Sequence, residues 1–215
     1  MVEIPENPKI YHITHISNLD SIVKDKVLWS DKKRIDLGRE CEIVGMTEIK
    51  RRRLEDIEVS CHRGIKVGEY VPFNFCPRSV MLYILFKGNH PDITYRQGQE
   101  QIVHLQADLK TSVDWADNND VRWAFSDRNA GMYFAQFYKD IGDLDKINWS
   151  AVRATVFRDM LVKEEKQAEF LVYESFPWQL IEKIGVYNNR IKDQVIAKLG
   201  NSFSSRISVE RKWYY

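Results

Sequence analysis

The stretch Lys166–Trp178, KQAEFLVYESFPW, constrains this chain more than any other. From Ala168 to Tyr173 it is apolar, β-branched and aromatic, and Pro177 closes it, so it reads as a strand. One charged residue, Glu169, interrupts the apolar run. With a period of two, Glu169 shares a face with Leu171 and Tyr173, while Ala168, Phe170 and Val172 point the other way. A carboxylate so placed stands either at the wet end of the strand or in a cleft. Charges are seldom buried unpaired, so the strand alone favours the wet end, and a catalytic role needs support from elsewhere in the chain.

At 215 residues the chain is long enough for one good core, and one domain is the natural expectation. The 32 basic and 31 acidic residues leave a net charge of +1, so no global field attracts nucleic acid or membrane, and any nucleic-acid site must be a local patch. Cys41, Cys61 and Cys76 are odd in number and widely spaced, which suggests no disulfide framework and fits a reducing cytoplasm. The N-terminus lacks a basic-then-apolar leader and no apolar run approaches 18 residues, so a soluble cytoplasmic protein is expected, with no membrane partner. Six Trp, ten Tyr and ten Phe suit a core and equally suit stacking on bases.

Lys9–Thr14 predicts a short strand with His12 and Thr14 on one face. A helix capped by Ser17 or Asn18 follows, with Leu19, Ile22 and Val23 at helical spacing. His12 and His15 do not form a metal site, because no Cys, His or carboxylate cluster completes one. Residues 31–66 are dense in charge. Within them IKRRRLEDIEV, starting at Ile49, reads either as a helix with i,i+4 pairs (Arg51 with Glu55, Arg52 with Asp56) or as a mobile cationic segment that clamps phosphates. Tyr70–Cys76 reads as a strand, Pro77 as a turn, and Ser79 as the cap of a buried helix, with Arg78 at the elbow as a plausible anion or ribose contact. Gln99–Asp108 predicts another strand. Trp123–Arg128 leads into an expected helix over Ala130–Lys139, and a further helix is expected from Pro177 (Trp178, Ile181, Ile184). A strand at Ile184–Tyr187, a helix with Ile191, Val195, Ile196 and Leu199 ended by Gly200, and a final strand over Arg206–Tyr215 complete the chain.

Short strands separated by helices without regular βα alternation argue for an α+β domain. The phosphate-loop, dinucleotide, nucleophile-elbow and zinc patterns are all missing. That does not exclude NAD⁺, which some folds hold with a His-bearing strand and a Glu-bearing strand. Two readings of other classes remain beside an enzyme of that kind. One is a non-catalytic single-strand-binding module using the aromatics and the arginine run, indifferent to NAD⁺. The other is a nuclease, for which Glu164-Glu165 is a poor metal cluster.

Five blocks in order, YHITHISNL from Tyr11, YVPFNFCPRSVMLY from Tyr70, QGQE from Gln97, KQAEFLVYESFPW and the terminal RKWYY, resemble the DarT family of bacterial toxins that ADP-ribosylate DNA. The resemblance implies an ADP-ribosyltransferase fold related to poly-ADP-ribose polymerases and diphtheria-type toxins. It implies NAD⁺ as co-substrate, with no permanently bound cofactor, and a base in single-stranded DNA as acceptor, thymine in the better-known branch and guanine or RNA as alternatives. By the same resemblance Glu169 falls on the catalytic glutamate and Arg53 on an assisting arginine, while His12 falls on the histidine that holds the NAD ribose. Thr14, Asn18, Phe75, Arg78 and Tyr83 are the accompanying candidates for NAD⁺ contacts. The nicotinamide-stacking residue stays open, since the middle strand offers Phe73, Asn74 and Phe75 and only the following helix has Tyr83. Residues of about 31–66 would cover NAD⁺. Residues of about 125–166 would present the acceptor, with Arg52, Phe125, Ser126 and Arg128 as its contacts. A DarG-like macrodomain antitoxin is the expected partner.

Overall fold

The strands β1 (Lys9–His15), β3 (Tyr70–Asn74), β4 (Ile102–Asp108) and β7 (Glu169–Tyr173) form the middle of one sheet. The structure is a computed structural model, and it describes residues 3–215. In chain order the other elements are α1 (Leu19–Asp25), β2 (Val27–Trp29), α2 (Asp31–Asp36), α3 (Thr47–Glu55), α4 (Val80–Lys87), α5 (Leu109–Asn118), β5 (Trp123–Ser126) and β6 (Phe137–Tyr138). Then come α6 (Trp149–Arg153), α7 (Met160–Glu165), β8 (Ser175–Pro177), β9 (Lys183–Val186), α8 (Asn189–Leu199) and β10 (Ile207–Val209). The eight-stranded sheet runs β10-β9-β4-β1-β3-β7-β5-β6, and β2 pairs separately with β8. Only β10 and β9 are parallel neighbours in it.

Both faces of the sheet are covered, so its central strands lack the polar–apolar alternation of a one-sided sheet. Ala168, Phe170 and Val172 join Phe73, Val103 and Leu105 in the main core, while Leu171 packs on the opposite face with Tyr70, Ala124 and Phe137. This is the two-face partition that the period of two requires of β7. Among the described residues no helix is long and apolar enough to cross a membrane.

Ser79 caps α4 as expected, accepting from the Leu82 amide at 3.1 Å, and Asn188 caps α8 by accepting from the Ile191 amide at 2.9 Å. The expected cap of α1 is not made: Asn18 stands at the N-cap position without a side-chain capping bond, its amide being engaged by Thr14 and Glu42. Three further expectations are corrected. Ala130–Lys139 is not a helix but a loop running into β6, because side chains compete for its amides: Asp127 takes the Gln136 N–H at 3.0 Å and Asn129 takes the Gly131 N–H at 2.7 Å. The segment after Pro177 makes only a 3-10 turn, Trp178–Leu180, before entering β9. The last strand stops at Val209, where the chain turns so that the Tyr214 hydroxyl donates to the Ile102 and Gly185 carbonyls.

Two features of this frame position a site. First, β1 meets β3 at a single residue pair, Tyr11 with Asn74, although it pairs with β4 over seven. The sheet therefore opens at the β1–β3 seam. Second, Glu169 is the first residue of β7 and sits opposite Asn74, the last of β3, so its carboxylate is delivered to that opening.

Candidate active site

A cavity lies over the seam, walled by His12, Thr14, Pro72, Asn74 and Glu169 from the sheet and by Arg53 and Lys50 from α3. Asn18, Trp29, Asp31, Arg34 and residues 39–46 close its other sides. The run of arginines divides as helical geometry demands, since consecutive side chains diverge by about 100°. Arg51 faces solvent and bridges Glu48 at 2.9 Å, Glu55 at 3.0 Å and Asp56 at 3.2 Å. Arg52 makes no pair with Asp56, contrary to the i,i+4 expectation; its guanidinium lies 5.8 Å from the Tyr133 ring centre. Arg53 turns inward, and its Nη1 and Nη2 donate to Oε1 and Oε2 of Glu169 at 3.0 and 2.9 Å.

Glu169 is therefore not at a wet end. It is 6% exposed, and the forked arginine supplies the counter-charge that makes such burial tolerable. Its Oε1 also accepts from the Ala130 amide at 3.1 Å, and its own amide donates to Ser126 Oγ at 3.2 Å. Burial works against the Arg53 charge, but the adjoining Glu169 carboxylate, with Asp31 behind it, holds its pKa above the ordinary guanidinium value. Across the cavity Lys50 donates to Asp31 at 2.9 Å. Burial alone would raise the Asp31 pKa, yet Lys50, Arg34 and Arg53 together hold it below the usual carboxylate range. Two carboxylates, Asp31 and Glu169, thus line the cavity, each paired with its own cation.

His12 donates from Nδ1 to the Pro72 carbonyl at 2.9 Å, which leaves Nε2 as an acceptor. Burial holds its pKa below the usual imidazole value, against the opposing pull of that hydrogen bond, so the ring is neutral at pH 7. Thr14 and Asn18 stand beside it. The Asn18 amide donates to Thr14 Oγ1 and to the Glu42 carbonyl, both at 3.0 Å, and accepts from the Glu42 amide at 2.8 Å. Asn18 is thus the peg that ties the segment before α3 to the sheet.

The remaining sequence candidates are dispersed. Phe75 packs edge-on to Trp149 in the main core, Arg78 lies over the Tyr215 ring at 4.4 Å, and Tyr83 packs against Phe157 and Tyr215; none of the three lines this cavity. Phe125 is buried against Tyr138. Ser126 is buried and donates to the Arg128 carbonyl at 2.6 Å, and Arg128 pairs with Asp127 at 3.0 Å and Glu164 at 3.6 Å. These residues shape the loop that touches Glu169 from beneath, whereas Tyr133 and Phe134 stand exposed on it. Gly131 seats that loop on α3: a Cβ there would meet Ile49 Cγ2 at 2.9 Å. Lys50, Asp31 and Trp29 were not singled out from sequence. Lys50 and Asp31 share only a position within the charged segment, which says nothing of which charges turn inward, and Trp29 precedes that segment. Among the described residues no group of three or more His, Cys, Asp or Glu could hold a metal ion.

Comparisons with known proteins bear on this arrangement. The family model described as "ssDNA thymidine ADP-ribosyltransferase, DarT" matches residues 11–215. A DNA ADP-ribosyl transferase of Thermus sp. (strain 2.9) is 35% identical over 98% of this chain and 98% of its own. The structure of Thermus sp. 2.9 DarT in complex with ADP-ribosylated single-stranded DNA superposes with a TM-score of 0.88 at 33% identity, covering all of both chains. That of the same protein in complex with NAD⁺ gives 0.82 at 32% identity over 99% of this chain and 100% of the other.

Proposed function

The chain belongs to the DarT family of ADP-ribosyltransferases, and we propose that it transfers ADP-ribose from NAD⁺ to thymine bases of single-stranded DNA, with Glu169 as the catalytic carboxylate. The observation that carries the assignment of residues is the buried, forked Arg53–Glu169 pair in the wall of a cavity that also holds a neutral His12.

His12 offers an acceptor nitrogen to a ribose hydroxyl, and residues of about 31–66 cover the dinucleotide. When nicotinamide leaves, the ribose becomes cationic and oxocarbenium-like. The Glu169 carboxylate stabilises that charge, orients the adjacent hydroxyl and accepts the proton of the attacking base nitrogen. An imide-type nitrogen in thymine is a poor nucleophile until deprotonated, so a base is needed at this point. Arg53 supplies the counter-charge to buried Glu169 and either contacts the diphosphate or polarises the thymine so that its nitrogen loses the proton more easily. Residues of about 125–166 present the acceptor: the Ala130 amide already touches Glu169, and exposed Tyr133 and Phe134 offer faces on which a base can stack. Only an unpaired base exposes the edge that reacts, because flipping a paired one costs a few kcal/mol. The partner fitting such a toxin is a macrodomain antitoxin that removes the modification, and its co-expression should restore growth.

The test is to incubate the protein with NAD⁺ and oligonucleotides of varied base and strandedness and to weigh the products. One ADP-ribose on thymine-containing single strands, suppressed by the complement, is expected. Equal labelling of duplex would refute the single-strand requirement, and labelling confined to guanine or to RNA would replace the acceptor.

A further inference from the structure

On the opposite face of the same seam lies a second cavity. Its walls include Tyr11 and Phe75, the strand neighbours of His12 and Asn74, and residues 149 and 152–155 around α6. Four of its lining residues are cationic, Lys9, Arg78, Arg153 and Lys166, and none is Asp or Glu. Lys9 is already paired, with Asp108 at 3.1 Å and Glu182 at 2.8 Å. Among the described residues Arg78, Arg153 and Lys166 reach no carboxylate.

Lys166 is the anomaly. It is 2% exposed, and its Nζ has as hydrogen-bond partners the Val152 carbonyl at 2.8 Å and Cys76 Sγ at 3.4 Å, with the Phe157 ring centre 5.7 Å away and no carboxylate. An ammonium has three protons to place, and a buried cation without a counter-charge is costly. Cys76 does not supply that charge, since burial pushes its thiol up, outweighing the pull of Lys166, and it stays protonated at pH 7. Arg78, whose guanidinium lies over the Tyr215 ring, has its Nε buried without a hydrogen-bond partner among the described residues.

We propose that this cavity binds a phosphate group, held by Lys166 with Arg78 and Arg153. A tetrahedral anion suits the set, because a point ammonium and two guanidinium forks approaching from different elements need more acceptor oxygens than one carboxylate offers. The phosphate comes either from the backbone of the acceptor strand or from solution. The first source rests on the proposed function and has a structural route: the loop touching Glu169 is tied to α7 through Arg128–Glu164, and Lys166 caps the end of α7.

The experiment compares the wild type with Lys166→Met, which keeps the stem and drops the charge, and with Arg153→Gln, an exposed change that should not disturb folding. Melting temperature is read with inorganic phosphate against chloride at equal ionic strength. Affinity for a labelled single-stranded oligonucleotide is read from about 50 to about 200 mM salt, where each lost phosphate contact should lower the log–log slope by about 0.7. Phosphate stabilising the wild type and not the variants, with the oligonucleotide slope unchanged, supports the site with free phosphate as its ligand. A reduced slope in both variants supports it with the DNA backbone as the source. Variants indistinguishable from wild type in both assays overturn it, and Arg153→Gln decides alone should Lys166→Met fail to fold. Wild-type transfer of ADP-ribose to the oligonucleotide is measured in parallel, so failure of the proposed function shows there independently of the phosphate response.

Discussion

Removing Arg53 should expose what permits the Glu169 side chain to be buried. The two side chains are 13% and 8% exposed and share two charge-assisted hydrogen bonds of 3.0 and 2.9 Å. In Arg53→Ala the carboxylate keeps only the Ala130 amide at 3.1 Å. Orphaning one member of a buried pair costs about 3–5 kcal/mol, and the lower end applies here because the amide remains and the cavity admits water. About 3 kcal/mol corresponds to a fall in Tm of about 6–12 °C for a chain of this size. Activity at pH 7.5 should drop tens- to a thousand-fold, the scale of losing one charge-stabilising donor. The assay is calorimetric unfolding at pH 7.5 alongside oligonucleotide modification. A melting gap below about 1 °C would refute the argument that this pair is what permits the burial.

Arg51→Ala should leave the melting temperature nearly unchanged, since its three partners are exposed or half-exposed, and should cost far less activity than Arg53→Ala; equal losses would make the arginine run an undivided patch. His12→Ala should weaken NAD⁺ binding much more than DNA binding by titration calorimetry, and unchanged NAD⁺ affinity in a folded variant would return His12 to a structural role. Burial pushes the His104 pKa down to about 4, despite the Pro77 carbonyl accepting from its Nε2 at 2.9 Å. Its depressed pKa makes folding more favourable above the ordinary imidazole value and less so as pH falls from about 6.5 towards about 4, by on the order of 3 kcal/mol in all. His104→Gln should flatten that acid limb in melting experiments, and an unaltered limb would assign it to other groups.

The sequence told more about the sheet than about the site. Lys9–His15 and Glu169–Tyr173 were recognisable as strands because β-branched and aromatic runs between turn residues have few other uses, and the period of two correctly split β7 between two cores. Ala130–Lys139 reads as a helix because its apolar spacing is helical, while the competing acceptors Asp127 and Asn129 act through geometry that spacing does not record. The burial of Glu169 was hidden for a similar reason. Its cation stands 116 positions away on α3, and a long-range pair leaves no local trace. Family resemblance supplied Arg53 and His12 where periodicity could not. Phe75, Arg78 and Tyr83 belong to the same block, yet Phe75 alternates to the face opposite Asn74, Arg78 lies over Tyr215, and Tyr83 packs against Phe157 and Tyr215, so none of them lines the cavity.

The most direct measurement is the single-turnover rate of thymine modification in a short single strand by wild type and Glu169→Gln, both at saturating NAD⁺ with affinities determined separately. Glutamine preserves the shape and one acceptor for Arg53 but cannot take a proton. The account predicts NAD⁺ and DNA affinities within a few-fold of wild type and a rate lower by two or more orders of magnitude. A Glu169→Gln rate close to wild type would contradict it.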